Sequence, residues 1–573
     1  MLPRTARRRA LVLTVALALV AATSGCGDSR SPQAGAPRST VTAGLDLVQQ
    51  TEDHAEEPAE RPNLLVIETD DMRWDDLRWM PNVRRLIQDR GLTFENSFAP
   101  YPLCCPSRSS FMSGMYTHNH HVYTHLEPYG FAAFHDKHTI ATVLQGAGYR
   151  TGLVGKYLNG YGEQYLRSGQ DSLHYVPPGW DQWYAGSDHE WDYDDPNYGG
   201  GTYSYNHLVQ NINGEVQAFP GRYSTDVLAE QARGVMDGFG RSKDPWFVWW
   251  TPTAPHHGLP VEPDDPQPTR RGDGDFDQWD TPGRPDWVKG HFDKVITHGS
   301  GTPLHHPAEK DVRDKPIYLR KLPPLTAVEK RDETEITRQR AESLYALDVQ
   351  IRRTVAHLRR TGQLAHTVIA FTSDNGYYLG EHRKRTGKVN LHEPSLRVPF
   401  LIAGPGVPHG RRYDPITTVD MASTLAAYAG TTMSGADGTS LLPVIRDGDR
   451  GWSRAVVTEG MMGFGRYADK HKLGPTPLDT RGLRLGRWKL TRYSTGEAEL
   501  YDLWKDPLEL RNLAHVPAYG KTFQQMKNLY TQYSDCAGSG CRVPIPQAFR
   551  LTTAQDKRIT DHEVATTNAY YDN

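Results

Sequence analysis

The sequence predicts an α/β fold: a large mixed, mainly parallel sheet flanked by helices, followed by a smaller antiparallel-sheet domain. Three observations predict it. Short apolar runs recur at residues 64–67, 151–154, 246–250 and 367–371, the pattern of strands buried on both faces. Helix-like stretches lie between them at 80–90 and 338–360, the second with Leu344, Leu347, Ile351, Val355 and Leu358 near helical spacing. Beyond residue 450 the pattern shortens and alternates, as in 483–490 and 498–502, which suits antiparallel strands.

In chain order, residues 1–26 read as an export signal. Arg4, Arg7, Arg8 and Arg9 form a basic start, and the apolar run 11–22 is short for a membrane span. It ends in Thr23-Ser24-Gly25-Cys26, which resembles a bacterial lipoprotein cleavage site with Cys26 as the lipidated first residue. The expected destination is outside the cytoplasm, either secreted or held on a bacterial cell envelope through a lipidated Cys26. Residues 27–60 are rich in Ser, Pro, Ala and Glu and lack an apolar period, so they read as a disordered linker. The main α/β domain is expected over 61–450, with a polar insertion at 262–335 that reads equally as a lid or a surface excursion. A C-terminal α+β subdomain is expected over 451–573.

The net charge is −3 and no basic stripe is visible, which argues against a nucleic-acid partner. Cys536 and Cys541 flank a flexible Ala-Gly-Ser-Gly spacer and are expected to pair in an oxidising compartment. Cys104 and Cys105 are adjacent, and adjacent cysteines rarely bridge each other.

In open α/β sheets, ligands bind beyond the carboxyl ends of the strands. Four predicted strands end in residues that carry chemistry: Asp70-Asp71, Gly155-Lys156, Ala254-Pro255-His256 and Asp374-Asn375. One such end is ordinarily a turn or a helix cap. Four together suggest a site with a hard cation, a base and a lysine. Asp70, Asp71, Asp374 and Asn375 offer only oxygen ligands, which suit Ca²⁺ or Mg²⁺ and not zinc. Pro106 suits a first helical turn, so Cys104 would sit at a helix N-terminus, where the dipole favours an anion.

Cys104-x-Pro106-Ser107-Arg108 resembles the Cys-x-Pro-Ser-Arg signature of type I, formylglycine-dependent sulfatases. The text Gly114-x-Tyr116-x-His118-Asn119-His120, Gly155-Lys156-Tyr157-Leu158-Asn159 and Thr251-Pro252-x-Ala254-Pro255-His256 resembles the N-acetylglucosamine-6-sulfatase-like branch. The likeness spans roughly residues 61–515, most of the folded chain. It implies an alkaline-phosphatase-like fold and hydrolysis of a sulfate ester. It further implies that a formylglycine-generating enzyme oxidises Cys104, and that the resulting aldehyde hydrate is the nucleophile. Asp70, Asp71, Asp374 and Asn375, with the modified Cys104, would hold Ca²⁺, with Mg²⁺ as the second candidate. Arg108 would stabilise the deprotonated hydrate, Lys156 and Lys388 would neutralise sulfate oxygens and the leaving alkoxide, and His256 would contact sulfate or move a proton.

The sequence also departs from the family pattern. Leu158 stands where many sulfatases carry a second active-site histidine, and Gly380-Glu381-His382 resembles other branches. His382 is an expected substrate contact, with an exposed loop as the equal reading, and His118 reads as structural or substrate-lining. The aromatic segment 180–205 reads as a packed loop or a platform for a sugar or aryl group. Two other functions stay open at this stage. One is a phosphodiesterase or phosphonate monoester hydrolase of the same superfamily. The other is a non-catalytic binding protein on a sulfatase scaffold, which would have lost metal or nucleophile residues that this chain retains.

Overall fold

The structure is a computed structural model that describes residues 61–270, 276–303, 309–461 and 479–572. The expected signal, Cys26 and the linker lie outside the described residues. No helix among the described residues is long and apolar enough to cross a membrane.

The four apolar runs are strands. They are β1 (Asn63–Thr69), β3 (Arg150–Gly155), β7 (Trp246–Thr251) and β8 (Thr367–Ser373). The remaining strands of the main sheet are β2 (Leu92–Phe94), β4 (Gln182–Gly186), β5 (His207–Ile212), β6 (Glu215–Pro220), β9 (Phe400–Ala403) and β10 (Gly410–Arg412). The sheet order is β10-β2-β9-β8-β1-β7-β3-β4-β5-β6. The central five, β8-β1-β7-β3-β4, are parallel; antiparallel pairs continue the sheet on both sides, and the outermost β2-β10 pair is parallel again.

Alternate residues of a strand face opposite sides of the sheet, and here both sides are core. Leu64, Val66, Phe247 and Trp249 pack on one side with Phe111 and Met112 of α2 (Cys104–Ser113). Leu65, Ile67, Val248 and Trp250 pack on the other with α3 (Ser224–Phe239) and α4 (Ala327–Arg360). Each large apolar side chain buried this way contributes about 1.5–3 kcal/mol.

The long helix corrects one boundary. The apolar period predicts a helix from residue 338 and an insertion to 335, but α4 starts at Ala327. Thr326 caps it: its Oγ1 accepts from the Glu329 N–H, and Glu329 Oε2 accepts from the Thr326 N–H. Its first turns bury Glu329, Glu333, Thr337 and Gln339, so no apolar stripe announces them. The preceding segment is tied to the helix by buried Arg284, which pairs with Glu262 and with Glu342.

The C-terminal strands are β11 (Val456–Gly460), β12 (Thr480–Leu485), β13 (Trp488–Tyr493) and β14 (Ala498–Asp502), an antiparallel sheet in that order. The alternating stretch 483–490 is thus a hairpin, turning at Gly486, whose φ of 55° is left-handed. Helix α5 (Gly520–Tyr533) covers the sheet with Met526, Leu529 and Tyr533, beside the Cys536–Cys541 disulfide. Helix α6 (Thr553–Tyr571) returns towards β1: the Tyr571 ring lies 4.6 Å from the Arg73 guanidinium.

Candidate active site

The parallel register sets the site. Thr69 pairs with Ser373 and Gly155 with Thr251, so β1, β8, β3 and β7 end at one level. Asp70-Asp71 and Asp374-Asn375 follow directly. Asp71 lies at a φ of 65°, a conformation a non-glycine residue holds only when its surroundings enforce it. Here its N–H donates to Asp374 Oδ1 at 3.1 Å, and the Met72 N–H donates to Ser373 Oγ at 2.9 Å. Gly155 lets β3 close on β7: a Cβ there would sit 2.2 Å from the Thr251 carbonyl oxygen. The turn delivers Lys156 inward.

Helix α2 starts at Cys104, with Pro106 in its first turn and every residue buried. The Cys104 thiol lies 3.3 Å from Asp70 Oδ1, and Lys388 Nζ donates to its sulfur at 2.7 Å. Consecutive helical residues diverge by about 100°. Cys105 accordingly points elsewhere, towards the Asn159 carbonyl at 3.8 Å, among apolar side chains.

Charges of both signs interlock around Cys104. Lys156 Nζ donates to Asp70 Oδ2 at 2.5 Å, Lys388 pairs with Asp71, and Arg108 Nε donates to Asp374 Oδ2 at 2.8 Å. Arg108 also reaches within 4.0 Å of Asp70 and donates to the Lys156 carbonyl. Asn375 Nδ2 donates to Asp71 Oδ1 at 2.6 Å. His256 places Nε2 3.6 Å from Asp71 Oδ2, and its Nδ1 lies 2.7 Å from the His257 carbonyl, which assigns the ring proton to Nδ1.

Electrostatics follow from this packing. Burial opposes ionisation of Asp70, but Lys156, His256, Arg108 and Lys388 outweigh it and hold the carboxyl well below its usual range. Burial, then the Asp70 charge, pushes Asp374 up to about 6 against Arg108. Burial drives His256 down to about 4 despite Asp70 and Asp71, so the ring is neutral near pH 7. Burial and Asp70 push the Cys104 thiol well above its ordinary value. An unmodified Cys104 is therefore a protonated thiol, a poor nucleophile.

The donor set fits a divalent cation. Ligand atoms of Asp70, Asp71, Cys104 and His256 lie within 4.8 Å of one another. Asp71 Oδ2 and Asn375 Oδ1 are buried and have no hydrogen-bond partner among the described residues, a costly state for carboxylate and amide oxygens unless a ligand takes them. Asp374 has both oxygens engaged, but each retains a second lone pair. His256 stands in this cluster although sequence reasoning assigned it no ligand role.

Two expected substrate contacts are engaged by partners of their own. His118 turns Nδ1 to Glu459 at 2.7 Å and Nε2 to the Cys536 carbonyl at 2.8 Å, so both ring nitrogens serve the seam with the C-terminal sheet. His382 is buried, pairs with Glu309 at 2.8 Å and lies against His392. Neither makes a hydrogen bond or ion pair to the Cys104 cluster among the described residues. The equal reading of His382 as an exposed loop residue is corrected, because it is 2% exposed.

Two site residues escaped sequence reasoning. Arg340 of α4 donates to the Asp71 carbonyl at 2.6 Å and to the Pro255 carbonyl at 3.3 Å, binding two strand-end loops together. Nothing in a helical arginine announces that. Tyr203 packs at a tilt against His256, with ring centroids 4.6 Å apart, and Lys156 Nζ lies 5.0 Å over its ring. Its signal was membership of the aromatic segment. The rest of that segment divides: Trp180, Trp183 and Tyr205 are core, while Tyr193 and Tyr198 are exposed.

Residues 62–431 match the family model described as Sulfatase, and 380–535 match N-sulphoglucosamine sulphohydrolase, C-terminal. An arylsulfatase of Volvox carteri is 30% identical over 531 residues, covering 85% of this chain and 76% of that one. The N-acetylglucosamine-6-sulfatase of Homo sapiens is 27% identical over 422 residues, covering 71% and 68%. A protein solved in complex with its substrate, D-glucosamine-2-N,6-O-disulfate, superposes with a TM-score of 0.59 at 20% identity. That match covers 83% of this chain and 98% of the other, and it shows the shared fold.

Proposed function

The chain belongs to the sulfatase family and is a sulfuric ester hydrolase, and we propose that its nucleophile is formylglycine made from Cys104. The observation that carries this is the setting of Cys104: a buried helix N-terminus, with Asp70 and Lys388 on its sulfur. A formylglycine-generating enzyme is the partner that this conversion requires. As a hydrate, formylglycine offers one hydroxyl to attack sulfur, displacing the alcohol, and a second whose deprotonation restores the aldehyde and releases sulfate.

Asp70, Asp71, Asp374 and Asn375, with the modified Cys104, would hold the cation, Ca²⁺ before Mg²⁺. When bound, it polarises sulfate oxygens and orients the nucleophile. The chain's own groups do the rest. Lys156 and Lys388 lie on opposite carboxylates and are placed to neutralise sulfate oxygens and the leaving alkoxide. Arg108, one helical turn beyond Cys104, holds Asp374 and faces Asp70, and a deprotonated hydrate would draw on the same charge. His256, with its proton on Nδ1, presents the Nε2 lone pair and can take a proton. Burial at Cys104, Arg108 and Asp374 keeps these interactions in a low dielectric.

The substrate we infer is the sulfate ester of a glycan or aryl alcohol, met after export through the N-terminal signal. Parallel assays with 4-nitrophenyl sulfate and phenyl 4-nitrophenyl phosphonate test the reading. Cleavage of the sulfate by the converted enzyme supports it; turnover of the phosphonate alone would move the chain to the phosphorus-ester branch.

A further inference from the structure

A cavity of about 630 Å³ opens beside the site, within the range of roughly 300–1,000 Å³ usual for small-molecule pockets. Tyr203 is the wall that the two share. Its ring carries Lys156 Nζ and packs at a tilt against His256 towards the site, and it lines the cavity beside Asn159, whose Nδ2 donates to the Tyr203 hydroxyl. The end at Tyr203 thus borders the site, although neither Lys156 nor Lys388 lines the cavity itself.

The cavity lining itself is acidic: Glu127, Glu163 and Asp188 belong to it, and no lysine or arginine does among the described residues. Asp188 lies towards the site, where the Lys156 and Asp70 charges act on it. Glu163 and Glu127 are exposed, and Asp188 is half-buried, its carboxylate accepting from the Gly160 N–H at 3.0 Å. Partial burial, then the charges of Asp188, Glu190 and Glu127, raises the Glu163 carboxyl. Leu126, Tyr165 and Leu259 at the rim are 55%, 60% and 51% exposed, an apolar edge for a ring or methyl groups.

We propose that this cavity receives the alcohol portion of the sulfate ester and selects one bearing a positive charge. An amino or quaternary-ammonium alcohol is favoured, and an alcohol carrying a second anionic group is rejected. The proposal rests on the sulfatase reading of the site. A zwitterionic ester would place its sulfate in the site, at Lys156 and Lys388, and its cation in the cavity, towards Glu127 and Glu163. A second sulfate or a carboxylate would face those glutamates with no lysine or arginine in the lining among the described residues, and such a like-charge juxtaposition is a device of specificity.

The test uses the full chain, converted at Cys104 and loaded with Ca²⁺, on three aryl sulfates: 4-nitrophenyl, 4-(trimethylammonio)phenyl and 4-carboxyphenyl sulfate. The quantity read is the kcat/KM ratio of the cationic to the anionic ester, compared between the native protein and Glu127→Gln/Glu163→Gln. Differences in leaving-group reactivity cancel in that comparison. Both glutamates are exposed, so the variant is expected to fold, and its melting temperature checks this. The ratio is expected to fall by about tenfold in the variant, and Glu163→Lys alone is expected to lower it as well. A ratio unchanged in both variants, alongside cleavage of 4-nitrophenyl sulfate, would overturn the charge selection and leave the sulfatase reading standing. Failure of the converted enzyme to cleave any of the three would overturn the sulfatase reading, and the cavity assignment with it.

Discussion

Lys388 Nζ lies 2.7 Å from Cys104 Sγ and also pairs with Asp71, so one ammonium joins the expected nucleophile to the expected cation site. The two residues are far apart in sequence, and Lys388 comes from a loop beyond β8. Burial opposes its charge, but Asp71, Cys104 and Asp70 together outweigh burial and raise the ammonium above its usual range. The lysine is therefore charged near pH 7, and its field is available to a sulfate ester.

The adjacent cysteines have unequal fates. Cys104→Ala is expected to abolish aryl sulfate turnover with the fold intact. Cys105→Ala removes one small buried side chain at a cost of about 1 kcal/mol and is expected to keep turnover. Circular dichroism and kcat for both variants check this; equal loss of activity would contradict the choice of nucleophile.

Chelation with EGTA is expected to remove activity, and Ca²⁺ to restore it. The melting temperature should rise with Ca²⁺, because a ligand at a hundredfold its Kd adds about 2.7 kcal/mol. Asn375→Ala, which deletes a buried oxygen without a partner, should raise the Ca²⁺ concentration needed for half-restoration. Full activity in chelator would contradict the cation site.

His118→Ala is expected to cost stability and not substrate affinity. The ring makes two hydrogen bonds, to Glu459 and to the Cys536 carbonyl. Leaving such partners unmatched costs about 1–3 kcal/mol. Thermal melting should register the loss while KM for 4-nitrophenyl sulfate holds. A raised KM in a variant of unchanged melting temperature would return His118 to the substrate.

Asp556 gives a pH dependence remote from the site. Burial, then the nearby Asp414 charge, pushes its carboxyl up from 3.8 to about 8. Between those values the folded state holds a proton that the unfolded state has released. Stability from this group therefore falls as pH rises through that window. Asp556→Asn, which stays neutral, is expected to gain more melting temperature at about pH 8 than at about pH 5. An equal gain at both would contradict the assignment.

The main sheet and the strand ends were legible because the central strands are buried on both faces and read as bare apolar runs, each followed at once by its polar residues. That is how Asp70, Lys156, His256 and Asp374 could be grouped before any geometry was known. The start of α4 was not legible, because its first turns bury glutamates and a threonine against other polar groups. Arg340 was hidden for the same reason: its role lies in two carbonyls from distant loops. His118 and His382 look alike in sequence to substrate contacts, and only their partners Glu459 and Glu309 set them apart. The acidic cavity draws Glu127, Glu163 and Asp188 from separate segments, so no local pattern records it.

The measurement closest to the central claim is peptide mass spectrometry across Cys104 on protein purified from its native host. The account predicts a mass loss matching conversion of the thiol to the aldehyde, confined to Cys104 and absent from Cys105. An unmodified Cys104 in protein that hydrolyses aryl sulfates would contradict it.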